Sequence, residues 1–180
     1  MANIKPLAQG ALVQLCGVYA IINCVRISTH GKCAISNDDC QGLFNAIVED
    51  LNQKDCLADV IRYGIGFNLQ CQMLRLADDW LYLKKKWRLQ YHRPWYRKSS
   101  IPEMPVIYNE INTHLNQPNT SALTLIAGPS LSHWTVIKSI NCNRVALFDS
   151  LGYNGYSINN KSESYEIVPK GTYLITCSPE

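Results

Sequence analysis

The spacing of apolar residues changes period near residue 120, and this change limits the folds open to the chain. Before it, apolar residues recur every three or four positions; after it, they alternate. Helices gathered first and strands gathered last argue for an α+β fold with an antiparallel sheet, not for the repeating units of a parallel one. The 180 residues fit one domain, with a helical part over about 1–120 and a sheet part over about 121–180.

The helical part predicts a helix over 15–27 that is apolar on most sides through Val18, Ala20, Ile21, Ile22, Val25 and Ile27. Such a helix belongs in the centre of a core. The residues before it, Val13, Gln14 and Leu15, include no Ser, Thr, Asp or Asn to cap it, so its first amides are left to face something else. Asn37-Asp38-Asp39 supplies an N-cap for a helix over 39–53, and further helices are expected over 56–63, 67–82 and 102–116, with a short strand over 87–91. Strands follow at 121–127, 133–140, 143–149, 164–168 and 171–177.

Eight cysteines lie at wide, irregular spacings inside apolar segments, which suits free thiols better than a disulfide framework. Neither Cys-x-x-Cys nor His-x-x-x-His occurs, so no metal and no cofactor is expected. No apolar run reaches the length of a membrane span. The opening stretch, broken by Gln9 and Gln14, lacks the continuous apolar centre of a secretory signal. The expectation is a cytoplasmic protein, or one delivered to another cell by a specialised route.

Cys16 opens the apolar helix. A thiol there faces partly positive backbone amides, which favour the thiolate, the form that acts as a nucleophile. The plain alternative is a small buried residue like the other seven cysteines, and a base is needed to decide against it. His30, His92 and His114 are most simply surface residues, whereas His133 begins a strand directly after the Gly128–Ser132 loop. If 133–140 and 143–149 form a hairpin with its turn centred on Asn141, residues i and 282−i face each other, and His133 meets Asp149. Asp149 could then orient the imidazole and leave its other nitrogen for the thiol, although an aspartate at that point can also simply begin the Asp-Ser-Leu-Gly turn. Trp134 suits the core, or could shield the His–Asp pair from water.

Gln9-Gly10, Leu15-Cys16-Gly17-x-Tyr19-Ala20-Ile21-x-Asn23, His133-Trp134-Thr135-Val136 and Leu147-Phe148-Asp149-Ser150 together resemble the papain-like cysteine peptidase superfamily, which carries Gln, Cys, His and Asp or Asn in this order. The resemblance is to compact bacterial papain-like proteins and, more distantly, to Josephin deubiquitinases and bacteriocin leader peptidases. It covers about a third of the chain and leaves 30–120 unmatched. It implies a papain-like fold in which Cys16 attacks a carbonyl, His133 acts as base and then acid, Asp149 orients His133, and Gln9 donates to the oxyanion, with Gln14 as the competitor for that last role. Gln14, Gly17 and Trp134 would border the substrate, and Asn23 would be structural.

The implied activity is hydrolysis of a peptide or isopeptide bond in a protein substrate. Glutamine deamidation and acyl transfer use the same groups. A reading of a different class, a non-catalytic binding module, would rest on Lys84, Lys85, Lys86, Arg88, Arg93, Arg97 and Lys98. These hold seven of the seventeen basic residues with Trp87, Tyr91, Trp95 and Tyr96 among them, and the rest of the chain has ten cations against fourteen acids. The segment is most simply a solvated face with anchoring aromatics. As a working surface it suits an acidic protein before nucleic acid or an anionic membrane.

Overall fold

A computed structural model describes residues 4–9, 13–128, 132–158 and 165–180. Gly10, most of the loop expected before His133 and the first residue of the strand expected at 164–168 lie outside them. A single 3-10 turn, Val13–Leu15, leads into α1 (Cys16–Ser28), followed by α2 (Asn37–Gln53), α3 (Leu57–Tyr63) and α4 (Phe67–Lys85). Then come β1 (Trp87–His92), α5 (Met104–Leu115), β2 (Thr120–Ala127), β3 (Ser132–Ile140), β4 (Arg144–Phe148), β5 (Gly155–Ser157) and β6 (Glu166–Pro179). The strands form one sheet in the order β1-β6-β2-β3-β4-β5, with every neighbouring pair antiparallel. The fold is α+β, as the change of period requires.

The alternation along each strand sorts side chains onto two cores. On one face Leu123, Trp134, Val136, Phe148 and Tyr173 meet α1, α2 and α4; on the other Ala122, Ile126, Ile137, Val145 and Leu174 meet α5. Ile21 and Ile22 of α1 are fully buried, each burial stabilising by about 1.5–3 kcal/mol. That is why this helix carries almost no polar face.

Local chemistry moved several boundaries. The cap of α2 is Ser36, just ahead of the Asn37-Asp38-Asp39 run expected to supply it: Ser36 Oγ accepts from the Asp39 amide at 3.0 Å while Asp39 Oδ2 accepts from the Ser36 amide at 2.9 Å. The two strands expected at 164–168 and 171–177 are one strand, β6, with an irregularity. Thr124 pairs with Thr172 but Leu125 pairs with Val168, so Pro169, Lys170 and Gly171 are extruded from the ladder. Thr172 Oγ1 closes the base of this bulge on Thr124 Oγ1 at 2.8 Å and Val168 O at 3.2 Å. The short β5 lies partly within the Gly152–Gly155 stretch, which reads in sequence as turn alone.

Edge strand β1 is protected by α4. Asp78 accepts from the Leu89 amide at 2.7 Å and pairs with Arg88 at 2.8 Å, so an edge group that could recruit another strand is already occupied. Residues 4–9 are stitched at two points: Asn23 of α1 binds both backbone groups of Leu7, at 2.7 and 3.3 Å, and the Gln9 amide donates to Ser150 O at 3.0 Å. Asn23 is structural, as its place two turns into the helix suggests.

Candidate active site

Three elements converge at the start of α1. Leu15 precedes the helix without a side-chain cap, which leaves Cys16 at an open N-terminus. The β3–β4 ladder ends at Val136–Phe148. Beyond that point the Trp134 amide donates to Cys16 Sγ at 3.5 Å, which sets the sulfur against the start of β3. Asp149 follows β4 directly, and its Oδ2 lies 2.6 Å from His133 Nε2.

The hairpin register differs from the one expected. Val136 faces Phe148 and Ile137 faces Leu147, so paired numbers sum to 284, and after a bulge at Lys138 Ile140 faces Val145. The turn is displaced because Asn141 Oδ1 accepts from the amides of Asn143 and Arg144, at 3.1 and 2.8 Å, while the Asn141 amide donates to Arg144 O at 3.0 Å. His133 and Asp149 are therefore diagonal neighbours instead of directly opposed ones. A slip of two residues keeps both on the same face, so the contact survives an offset that a slip of one would have destroyed.

His133 is fully buried, and Asp149 nearly so. Burial alone would depress the imidazole, but the Asp149 hydrogen bond and the nearby Cys16 sulfur outweigh it and raise the pKa from 6.5 to about 9. Burial would raise the Asp149 carboxyl, but the bond from His133, its charge and the Leu151 amide hold it below the ordinary 3.8. Asp149 Oδ1 accepts from that amide at 2.8 Å and from the Tyr153 amide at 3.4 Å. His133 Nδ1 is buried and makes no hydrogen bond of standard geometry among the described residues, yet Cys16 is close enough to act on the ring. A loose contact of this kind is common in unliganded sites, where geometry tightens on substrate.

The other candidates fall at different distances from this centre. Gln9 is about nine-tenths buried, and its Oε1 accepts from Ser150 Oγ at 2.7 Å, which ties it to the residue after Asp149. Gln14 is exposed and lines a cleft of about 490 Å3 that Cys16 also lines. Gly17 presents its carbonyl to Gln70 Nε2 at 3.2 Å, and an added Cβ would lie 2.6 Å from Gln70 Oε1 and 2.9 Å from Ile65 Cδ1, so a larger residue there would have to displace both side chains. Trp134 borders the cleft, but its ring points away from the His–Asp pair, with Nε1 donating to Ile65 O at 2.7 Å. The ring beside His133 is Tyr153, at 5.8 Å and edge-on.

Ile65, Phe67 and Leu125 make the cleft wall apolar, and exposed Tyr63 stands on its rim. None of the described residues lining it carries a formal charge. Tyr63, Phe67, Gln70 and Tyr153 were not singled out in the sequence, because nothing local marks a helix terminus or a turn that long-range pairing brings to a thiol. Of the other histidines, His30 and His92 are exposed as expected, but His114 is half-buried with Nε2 2.9 Å from Ile175 O. All eight cysteines are free thiols, and burial pushes those of Cys24 and Cys177 up, the latter to about 12. Among the described residues no group of three or more His, Cys, Asp or Glu could hold a metal ion, and no helix is long and apolar enough to cross a membrane.

The basic segment does not form one patch. Lys85 pairs with Asp39 at 2.7 Å and Arg88 with Asp78, at the end of α4 that lies about 27 Å along the helix from Phe67. Arg93 lies between the rings of Tyr96 and Tyr173, at 3.3 and 4.7 Å, and donates to Cys71 Sγ at 3.2 Å and Lys170 O at 3.1 Å. Trp95 is fully buried, while Arg97 and Lys98 are exposed.

No family model matches the chain, and no curated protein matches it. Among solved structures it is similar to the peptidase domain of Streptococcus ComA, a bi-functional ABC transporter involved in a quorum-sensing pathway, with 14% identity over 99% of this chain and 100% of that one and a TM-score of 0.49. A likeness of that depth carries no argument about chemistry, which rests on the residues themselves.

Proposed function

We propose that this protein is a cysteine-nucleophile hydrolase of amide bonds with a papain-like catalytic arrangement, acting on a peptide or isopeptide bond of a protein substrate. One observation carries the reading: a buried imidazole bound to a carboxylate through Nε2 at 2.6 Å, with Nδ1 left over and a sulfur at an uncapped helix start beside it. A buried charged pair of this kind is seldom retained for stability alone, since apolar residues of similar volume serve as well or better.

In this reading the Cys16 thiolate attacks the amide carbonyl carbon. The oxyanion is stabilised by the amides at the start of α1, with Gln9, held through its oxygen by Ser150 Oγ, as the side-chain candidate for a further donor. His133 gives its proton to the departing amine as the C–N bond breaks, which leaves a thioester on Cys16. His133 then takes a proton from water as the water attacks the thioester, and as the C–S bond breaks the acid product leaves with the thiolate and the protonated imidazole restored. Asp149 stays ionised throughout and keeps the ring in place.

The sign of the pH dependence follows. The folded pKa of His133, about 9, lies above its free value of 6.5. The stabilisation it reflects is complete below about 6.5 and is lost as the pH rises through about 9, so activity declines over the same basic limb.

Labelling with a thiol-directed electrophile, read by mass spectrometry, tests the reading. Cys16 should react at a pH where exposed Cys142 does not, and His133→Ala should abolish that difference. Equal, slow labelling of both cysteines would leave a binding module instead. With protein substrates, fragments identify a peptidase, and a gain of about one dalton on an intact chain identifies glutamine deamidation.

A further inference from the structure

The hydrolase reading leaves open what marks a substrate, and the surroundings of the cleft wall address it. An added Cβ on Gly171 would lie 2.8 Å from the Phe67 ring and 3.0 Å from Leu125 Cβ, so the β6 bulge rests directly on two residues of that wall. The exposed residue next to Gly171 is Lys170, whose carbonyl accepts from Arg93. Arg93 and Tyr96 bind the 93–96 turn to this same place, since Tyr96 OH donates to Asn68 Oδ1 at 3.3 Å and Asn68 follows Phe67. Buried Trp95 fixes the turn from beneath. Arg97 and Lys98 are exposed and follow this anchored turn directly, four and five residues after the Arg93 that binds Lys170. Among the described residues none of these three cations takes part in an ion pair, unlike Lys85 and Arg88 at the far end of α4.

We propose that Lys170, Arg97 and Lys98 form a cationic rim that binds an acidic side chain of the same protein segment whose apolar side chain enters the cleft. The apolar wall and the rim are two halves of one recognition surface. A charged side chain in the cleft itself would be desolvated with no partner, whereas a few residues along the segment a carboxylate meets three cations. Lys170 is the member that no run of basic residues in the sequence reveals, because pairing of β6 with β2 brings it to the rim. Nucleic acid fits this surface less well: of the rings in the basic segment beside the bulge, Tyr96 is covered by Arg93 and Trp95 is buried, which leaves exposed Tyr63 of the cleft as the one described ring there open to a base.

The test separates recognition from catalysis. Cys16→Ala protein would be offered two degenerate nonapeptide libraries with Leu or Phe fixed at the centre, one carrying Asp and Glu and the other Asn and Gln at the flanking positions, with a single-stranded oligonucleotide as a third probe. The acidic library should bind at least tenfold more tightly than its amide counterpart, and the triple variant R97E/K98E/K170E should erase or invert that preference while leaving the preference for a central Leu or Phe over Ser. Equal binding of the two libraries, a preference unmoved by charge reversal, or tighter binding of the oligonucleotide would overturn the proposal. Active protein that binds the acidic library selectively yet cleaves none of it would sink the hydrolase and leave the rim standing.

Discussion

The two ends of α4 put similar cations to different use. At the C-terminal end Lys85 is matched by Asp39, Arg88 by Asp78, and Lys86, the left-handed cap at φ 58°, places its amine 4.8 Å from the Tyr82 ring. Lys84 and Lys85 also complement the helix dipole. At the N-terminal end the cations of the proposed rim are unmatched among the described residues, and the described lining of the cleft there carries no formal charge. A count of basic residues cannot separate these uses. What separates them is whether the fold supplies each charge with a partner.

That contrast predicts that changes near the start of α4 cost activity and changes near its end cost stability. The largest effect should come from His133→Ala, which should lower hydrolysis by about 10³-fold or more and remove the decline of rate near pH 9, checked by rate profiles against the unmodified protein. A variant that keeps most of its activity would break the comparison at its stronger side. Next, Asp78→Ala should shift the urea midpoint by the equivalent of about 1–3 kcal/mol, because it strands the Leu89 amide and releases a half-exposed Arg88, while kcat/KM stays within about twofold. Loss of activity without loss of stability would show that the far end also serves the reaction. Smallest is Lys85→Gln, where a pair that remains partly solvated should contribute no more than about 1 kcal/mol, near the limit of a denaturation measurement.

Much of the architecture was legible because it depends on periodicity. The buried α1 announces itself by lacking a polar face, and the switch to alternation marks where the sheet begins. Cys16, His133 and Asp149 were legible as candidates from residue type and order, and the structure puts the sulfur at the start of α1 and the carboxylate on the imidazole. Register was not, because it is set by an Asn141 side chain closing the turn and by one bulged residue, Lys138, neither of which alters the apolar pattern. The interruption at Pro169–Gly171 reads as the end of a strand, since proline and glycine are the residues that ordinarily end one. Only the partner strand shows that β6 continues past it. Lys170 could not be picked out as a candidate for the same reason: its contact with Arg93 and the seating of its neighbour Gly171 on Phe67 are both long-range.

Two aromatic side chains hang the cleft wall from the sheet: Trp134 holds the carbonyl of Ile65 at 2.7 Å and Tyr173 that of Phe67 at 2.8 Å. These bolts run from the rigid centre of the molecule into the loop and first turn that frame the opening. The part of the opening framed by these residues is thus set before anything arrives, so an entering segment meets a wall that needs no ordering of its own. For the hydrolase proposed above, such a fixed wall would favour flexible tails and exposed linkers over well-folded surfaces.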